Sequence, residues 1–253
     1  MPFFTWQSNV VTPLEKSYCK LDLSKIEVIA PDLLNLGLSD ALNKSDFNLK
    51  NHANSIAELI DALNLENITP YTPRLGWAHR NIGSFSVRTP VKRLIILNTG
   101  LKTPAAPFKI SKFHSFVNKK ILPDLAFKIF RFPMYSLHKT QANRETLKGN
   151  KAEIYRYPMK RYSRWNSALL FARMVPTYAE HPSLNHFEAI ETYCKNFENN
   201  AEIIWGIKDP IMGRSLNSIQ KLLPNARTTK LHAGHFLQEE KPDEIAHCIM
   251  QIQ

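Results

Sequence analysis

Two short apolar runs near the end of the chain, each closing on an ionisable side chain, restrict the possible folds more than any other feature. The first reads Ile203-Ile204-Trp205-Gly206-Ile207-Lys208-Asp209-Pro210, and a helix and a strand later comes His232-Ala233-Gly234-His235-Phe236-Leu237-Gln238-Glu239-Glu240. Apolar runs of this length fit buried strands of a parallel sheet, where active-site groups gather in the loops beyond the strands' carboxyl ends. Two successive strand ends would set the Asp209 carboxylate beside the His235 imidazole, the second half of a nucleophile-histidine-acid triad. Taken singly, Asp209 reads equally as an acid bracing its loop and His235 as a satisfied loop histidine. Their joint occurrence, with Gly234 before and Phe-Leu-Gln-Glu-Glu after, favours the catalytic pair. His232 is the weaker competitor because it lacks that context.

At 253 residues and 43% apolar content the chain can close one sizeable core, and alternating strand and helix signals point to one α/β domain. Cys19, Cys194 and Cys248 are scattered, with no CxxC or ligand spacing. They argue for a reducing compartment and no structural metal. No cofactor is expected. The start shows no basic-then-apolar secretory pattern and no apolar run is long enough to span a bilayer, so the expected localisation is cytoplasmic.

The net charge is +11, and between Lys102 and Arg164 the only acids are Asp124, Glu145 and Glu153. Lys109, Lys112, Lys119, Lys120, Lys128 and Arg131 fall in this stretch. A solvated face is the plain reading; the alternative is a weak contact with a membrane surface or an acidic partner. No nucleic-acid motif accompanies the charge, so no nucleic-acid partner is expected.

Ile26-Glu27-Val28-Ile29-Ala30-Pro31-Asp32 followed by Gly37-Leu38-Ser39-Asp40 reads as a strand end and a tight loop, with Asp32 and Asp40 as loop-bracing acids. Together with the Asp209 and His235 segments, this pattern resembles the haloalkane-dehalogenase-like branch of the α/β-hydrolase superfamily, close to the bacterial β-lactone (oxetanone) decarboxylases. The resemblance implies an α/β-hydrolase fold: a mostly parallel sheet with flanking helices and an inserted helical cap. It also implies an aspartate nucleophile, a histidine base, an orienting acid and a small apolar substrate. Pro2, Thr5 and Trp6 resemble the end of the family's oxyanion loop, although Phe3 and Phe4 intervene; an ordinary N-terminal arm is the alternative. The chain is expected to be N-terminally truncated, because the His-Gly of that loop and the strands before it are absent.

Ile56, Leu59, Ile60 and Leu63 predict a helix over 55–65, and Asn67-Ile68-Thr69 begins the next strand. In the family this strand runs into His-Asp-Trp-Gly-Gly, where the aspartate attacks. Here it reads Pro70-Tyr71-Thr72-Pro73-Arg74-Leu75-Gly76-Trp77-Ala78-His79-Arg80-Asn81-Ile82-Gly83, and two prolines make it poor strand material. Back-translation with permitted codons, read one nucleotide downstream, spells Leu-Ile-Leu-His-Asp-Trp-Gly-Gly-Pro-Ile-Gly over Pro70 to Arg80. Two compensating frame changes, near Pro70 and after Gly83, would account for the missing motif. Ser84 and Ser86 lie past the turn without flanking glycines, so no nucleophile is assigned in the written sequence.

Family text resumes at Val91-Lys92-Arg93-Leu94-Ile95-Ile96-Leu97, a buried parallel strand. Some relatives carry the triad acid at its end; Asn98 and Thr99 stand there instead, leaving Asp209. Phe113 and Phe116, then Ile121, Leu125 and Ile129, fall at helical spacing, which predicts a cap over 104–175 inserted into a core of 1–103 and 176–253. These side chains either shape the cap or form core helices. Tyr162-Ser163-Arg164-Trp165-Asn166, Val175-Pro176 and His181-Pro182-Ser183 resemble the matching part of the decarboxylases. Trp165 reads as a core tryptophan first and as a pocket wall or halide ligand second. The expected lineage is an enzyme that cleaves a carbon-halogen bond through an aspartyl ester and is impaired in this chain. The alternatives are a β-lactone decarboxylase-like enzyme and a non-catalytic remnant or binding protein. The oligomeric state is not legible.

Overall fold

The structure, a computed structural model, describes residues 2–5, 21–72, 91–104, 106–161 and 164–251. Among the described residues six strands form one sheet: β1 (Pro2–Thr5), β2 (Glu27–Ile29), β3 (Thr69–Thr72), β4 (Arg93–Leu97), β5 (Asn200–Gly206) and β6 (Arg227–Leu231), in spatial order β2-β1-β3-β4-β5-β6. Every neighbouring pair is parallel. The α-helices among the described residues are α1 (Leu49–Ala62), α2 (Lys112–Val117), α3 (Leu122–Lys128), α4 (Asn150–Arg161), α5 (Ser167–Arg173), α6 (Leu184–Lys195), α7 (Leu216–Leu222), α8 (Leu237–Glu240) and α9 (Pro242–Met250).

Strand alternation divides the core. Leu94, Ile96, Ile203 and Trp205 pack on one face with Ile56 and Ile60 of α1, Ile190 and Cys194 of α6, and Leu216, Ile219 and Leu222 of α7. Ile95, Leu97 and Ile204 pack on the other face with Ile245, Ala246, Cys248 and Ile249 of α9. Leu94 to Leu97 are all fully buried, as a parallel strand covered on both sides requires. Each such side chain contributes about 1.5–3 kcal/mol relative to exposure.

Helix α1 begins earlier than its apolar spacing alone predicts. The Asn48 side chain accepts from the Asn51 N–H at 2.9 Å and caps the helix, so it starts at Leu49, well before Ser55. Leu63 falls at the C-cap and is exposed, so it does not extend the buried face. The loop after β2 follows its expected logic in part. Asp32 accepts from the Leu38 N–H at 2.9 Å, and Gly37 has φ of +47°. A Cβ at Gly37 would meet the Asp32 carboxylate at 2.0 Å, so the turn needs glycine twice over. Asp40 braces this loop through its carbonyl, which accepts from the Asn35 N–H at 2.7 Å.

Two expectations from the first half are corrected. Residues 2–5 are neither a loop end nor an arm: β1 pairs with β2 on one side and β3 on the other. Trp6 lies outside the described residues. Pro70 does not abolish its strand, since it sits opposite Phe4 within β3. The other side of β3 shows the consequence of its missing N–H. Ile68 bridges Val91 whereas Tyr71 pairs with Ile95, so Thr69 and Pro70 together oppose Lys92, Arg93 and Leu94. The ladder shifts by one residue across the proline, a bulge rather than a break. The segment expected to carry the elbow, 73–83, and Ser84 and Ser86 lie outside the described residues.

Between β4 and β5 the chain forms no strand among its described residues. It runs instead through α2 to α6 and two 3-10 segments, Met134–Thr140 and Arg144–Leu147. Phe113, Ile121, Leu125 and Ile129, placed in cap or core by their spacing, are solvent-exposed. No helix among the described residues is long and apolar enough to cross a membrane.

Candidate active site

Asp209 follows β5 by one turn, with its N–H donating to the Gly206 carbonyl at 3.2 Å. His235 stands in the loop after β6. The two strands remain laced beyond their ends: Ile207 N–H donates to Leu231 O and Lys208 N–H to Ala233 O, each at 3.0 Å. This lacing fixes the spacing of the two loops. His235 Nδ1 lies 2.8 Å from Asp209 Oδ2. The structure therefore brings together the two residues singled out in the sequence.

The Asp209 side chain is fully shut from water, and that of His235 is 17% exposed. A buried carboxylate is tolerated only when its lone pairs are met. Here Oδ2 accepts from His235 Nδ1–H and from Asn98 Nδ2 at 2.9 Å, and Oδ1 accepts from the Ile211 N–H at 2.7 Å. Because a carboxylate only accepts, Nδ1 carries the imidazole proton and Nε2 is left basic.

In the sequence Asn98 marks only a place where an acid is missing. It does more. It follows β4 with φ of +25°, a conformation that asparagine tolerates better than most residues. Its Nδ2 donates to Asp209 Oδ2 and, at 3.0 Å, to the Gly234 carbonyl, and its Oδ1 accepts from the Gly206 N–H at 2.8 Å. One amide thus ties the carboxyl ends of β4, β5 and β6. An asparagine directly after a buried aliphatic run was the available signal.

Backbone crowding explains the neighbouring glycines. A Cβ at Gly206 would lie 2.6 Å from Gly234 O, and one at Gly234 would lie 2.4 Å from Thr140 O. The latter approach exists because 140–143 is stitched to the histidine loop. His235 N–H donates to Thr140 O at 2.9 Å, and the Gln141 side chain pairs with both the N–H (2.9 Å) and the carbonyl (3.1 Å) of Phe236. Glu240 then accepts from the N–H groups of Gly234 at 2.5 Å, Asn143 at 2.5 Å and Ala142 at 3.3 Å. Residues 140–143 and the histidine loop form one hydrogen-bonded unit.

Other sequence candidates fall elsewhere. His232 is exposed. His181 is a satisfied structural histidine: Nδ1 accepts from the Ser183 N–H at 3.1 Å, leaving Nε2–H to donate to Arg173 O at 3.0 Å. Trp165 is buried in the core, with the Arg131 guanidinium 4.8 Å over its ring. Tyr162 and Ser163 lie outside the described residues. No group of His, Cys, Asp and Glu among the described residues is arranged to hold a metal.

A parallel sheet covered by helices on both faces, with an acid and a histidine on successive carboxyl ends and a helical excursion between β4 and β5, defines an α/β-hydrolase fold. Within it the chain resembles haloalkane dehalogenases. It is 26% identical over 241 residues to a haloalkane dehalogenase of Mycolicibacterium paratuberculosis, covering 89% of this chain and 74% of that one. It is also 26% identical over 247 residues to a cis-3-alkyl-4-alkyloxetan-2-one decarboxylase of Shewanella oneidensis, covering 87% and 71%. Among solved structures, a haloalkane dehalogenase from Paraglaciecola agarilytica superposes with a TM-score of 0.80 at 20% identity, covering 100% of this chain and 83% of that one. No family model matches the chain.

Proposed function

We propose that this chain carries the base half of a haloalkane-dehalogenase-type hydrolase site: His235 as general base, Asp209 as its orienting acid and Asn98 holding that acid. The reading rests on one observation, the 2.8 Å contact between His235 Nδ1 and a buried Asp209 carboxylate at adjacent strand ends. In the complete reaction a carboxylate oxygen attacks the carbon bearing the halogen. The C–O bond forms as the C–halogen bond breaks, and halide leaves with the bonding pair. His235 Nε2 then takes a proton from water, whose oxygen attacks the ester carbonyl and releases the alcohol. Asp209 stabilises the imidazolium that results.

The helices over 104–175 form the cap on this reading, closing the carboxyl edge over a small apolar substrate. The compartment is the cytoplasm. The attacking carboxylate is absent from the written sequence, and a lone base cannot replace it. Halide release from 1-bromobutane tests the reading. The written chain is expected to release none, whereas a variant with Pro70–Arg80 replaced by Leu-Ile-Leu-His-Asp-Trp-Gly-Gly-Pro-Ile-Gly turns over. Turnover by the written chain, or none by a folded restored chain, contradicts it. Similarity to the Shewanella decarboxylase favours a second reading, ring-opening of a disubstituted β-lactone to carbon dioxide and an alkene; feeding that lactone to the restored chain separates the two.

A further inference from the structure

Residues 119–130 turn apolar side chains outward. Leu122, Leu125 and Ile129 fall three and four residues apart, one stripe along α3 and its end, and all are exposed, while Pro123 and Phe127 face inward. Ile121 and Phe130 flank the stripe at 71% and 75% exposure. Five large apolar side chains within ten residues are thus left in water, which is unfavourable unless something outside the chain covers them.

The patch is held in shape. Phe132 N–H donates back to Ala126 O at 3.0 Å, and its ring packs edge-on against Phe127 with centroids 5.5 Å apart. Arg173 clamps the preceding turn, donating to Val117 O at 2.7 Å and to Lys119 O and Asp124 Oδ2 at 3.1 Å each. Ile121 has φ of +65°, a conformation that a β-branched residue resists. Burial does not compensate that strain, because the side chain faces solvent, and uncompensated strain points to function.

Charge identifies the occupant. Lys109, Lys112, Lys119, Lys120 and Lys128 are exposed in the same stretch, with no ammonium paired to a carboxylate in any ion pair of the described residues. The only acid from 109 to 140 is Asp124, already committed to Arg173. We propose that this face docks on an anionic lipid bilayer: Ile121, Leu122, Leu125, Ile129 and Phe130 enter the headgroup region while the lysines meet lipid phosphates and carboxylates. A second copy docking through the same face would set lysine against lysine. Nucleic acid answers the charge but offers the stripe no apolar medium. A bilayer answers both. The inference uses none of His235, Asp209 and Asn98, although its residues lie in the stretch that the catalytic reading assigns to the cap.

Cosedimentation of the full chain with vesicles tests it, comparing phosphatidylcholine alone with phosphatidylcholine mixed with phosphatidylglycerol. Binding is expected to the anionic vesicles at low salt, falling as salt screens the charge. Lys119→Gln with Lys120→Gln should weaken it about five-fold per lysine. Ile121→Gly should weaken binding while leaving the melting temperature unchanged or raised, a split that a purely structural role would not give. Equal binding to neutral vesicles, no binding to either, or variants that alter only self-association or nucleic-acid binding would each overturn the proposal.

Discussion

Asp209 and Ile121 are both placed against chemical type, one inside and one outside. The Asp209 carboxylate is shut from water but accepts from Asn98, His235 and Ile211, so its lone pairs are answered within the protein. Ile121 is 71% exposed at a strained φ, and nothing among the described residues covers it. The difference teaches where each feature is completed. A buried ion with a full set of donors belongs to an internal device, whereas an exposed apolar stripe edged by lysines is completed by something outside the chain.

Breaking the internal device should cost the most. Asn98→Ala removes donors to Asp209 and Gly234 and the acceptor for the Gly206 N–H, leaving buried groups unanswered. Denaturant unfolding should show a loss of about 2–3 kcal/mol. An unchanged midpoint would mean that the amide is not the tie between the three strand ends.

A buried histidine gives a contrast to His235. His52 is 2% exposed between Phe47 and Phe171, neither ring nitrogen has a hydrogen-bond partner, and burial lowers its pKa to about 4. The unfolded chain takes up this proton near pH 6.5 and the folded chain only near pH 4. The contribution is therefore intact above roughly pH 6.5 and is lost as pH falls toward 4, on the order of 1–2 kcal/mol near pH 5. His52→Phe should flatten that part of the stability–pH curve. An identical curve would assign the acid sensitivity to other groups.

At the outer face the smallest effect is expected. Ile129→Ser with Phe130→Ser removes exposed side chains and should shift unfolding by no more than about 0.5 kcal/mol. A loss of several times that would show that the stripe is covered within the folded protein and collapse the contrast.

The parts of the molecule legible in the sequence are those where one physical demand dominates. Buried parallel strands need uninterrupted aliphatic residues, so Leu94–Leu97 and Ile203–Trp205 announce β4 and β5, and the polar residues that end the runs mark the loops where Asp209 and His235 meet. Positions set by competing demands were not legible. Pro70 reads as a strand breaker, yet a one-residue shift against β4 absorbs its missing donor. Asn98 reads as an absent acid, because the reach of its amide to Asp209, Gly206 and Gly234 depends on the fold. Glu240 looked like context for the histidine, and it proves to latch the loop to 142–143. The spacing of Leu125 and Ile129 signals a helix, but Ile121 falls at its N-cap with φ of +65° rather than on its face; nor can spacing say whether a face looks inward or out.

The central claim is that His235, oriented by Asp209, completes a displacement that a carboxylate must begin. Intact mass of the motif-restored chain after exposure to 1-bromobutane tests this most directly. With His235→Ala added, the account predicts that the protein gains one butyl group at position 74 and keeps it, whereas the restored chain retaining His235 returns to its starting mass as butanol is released. If removing His235 leaves turnover unchanged and no adduct accumulates, the pair is not the base of this site and the account is wrong.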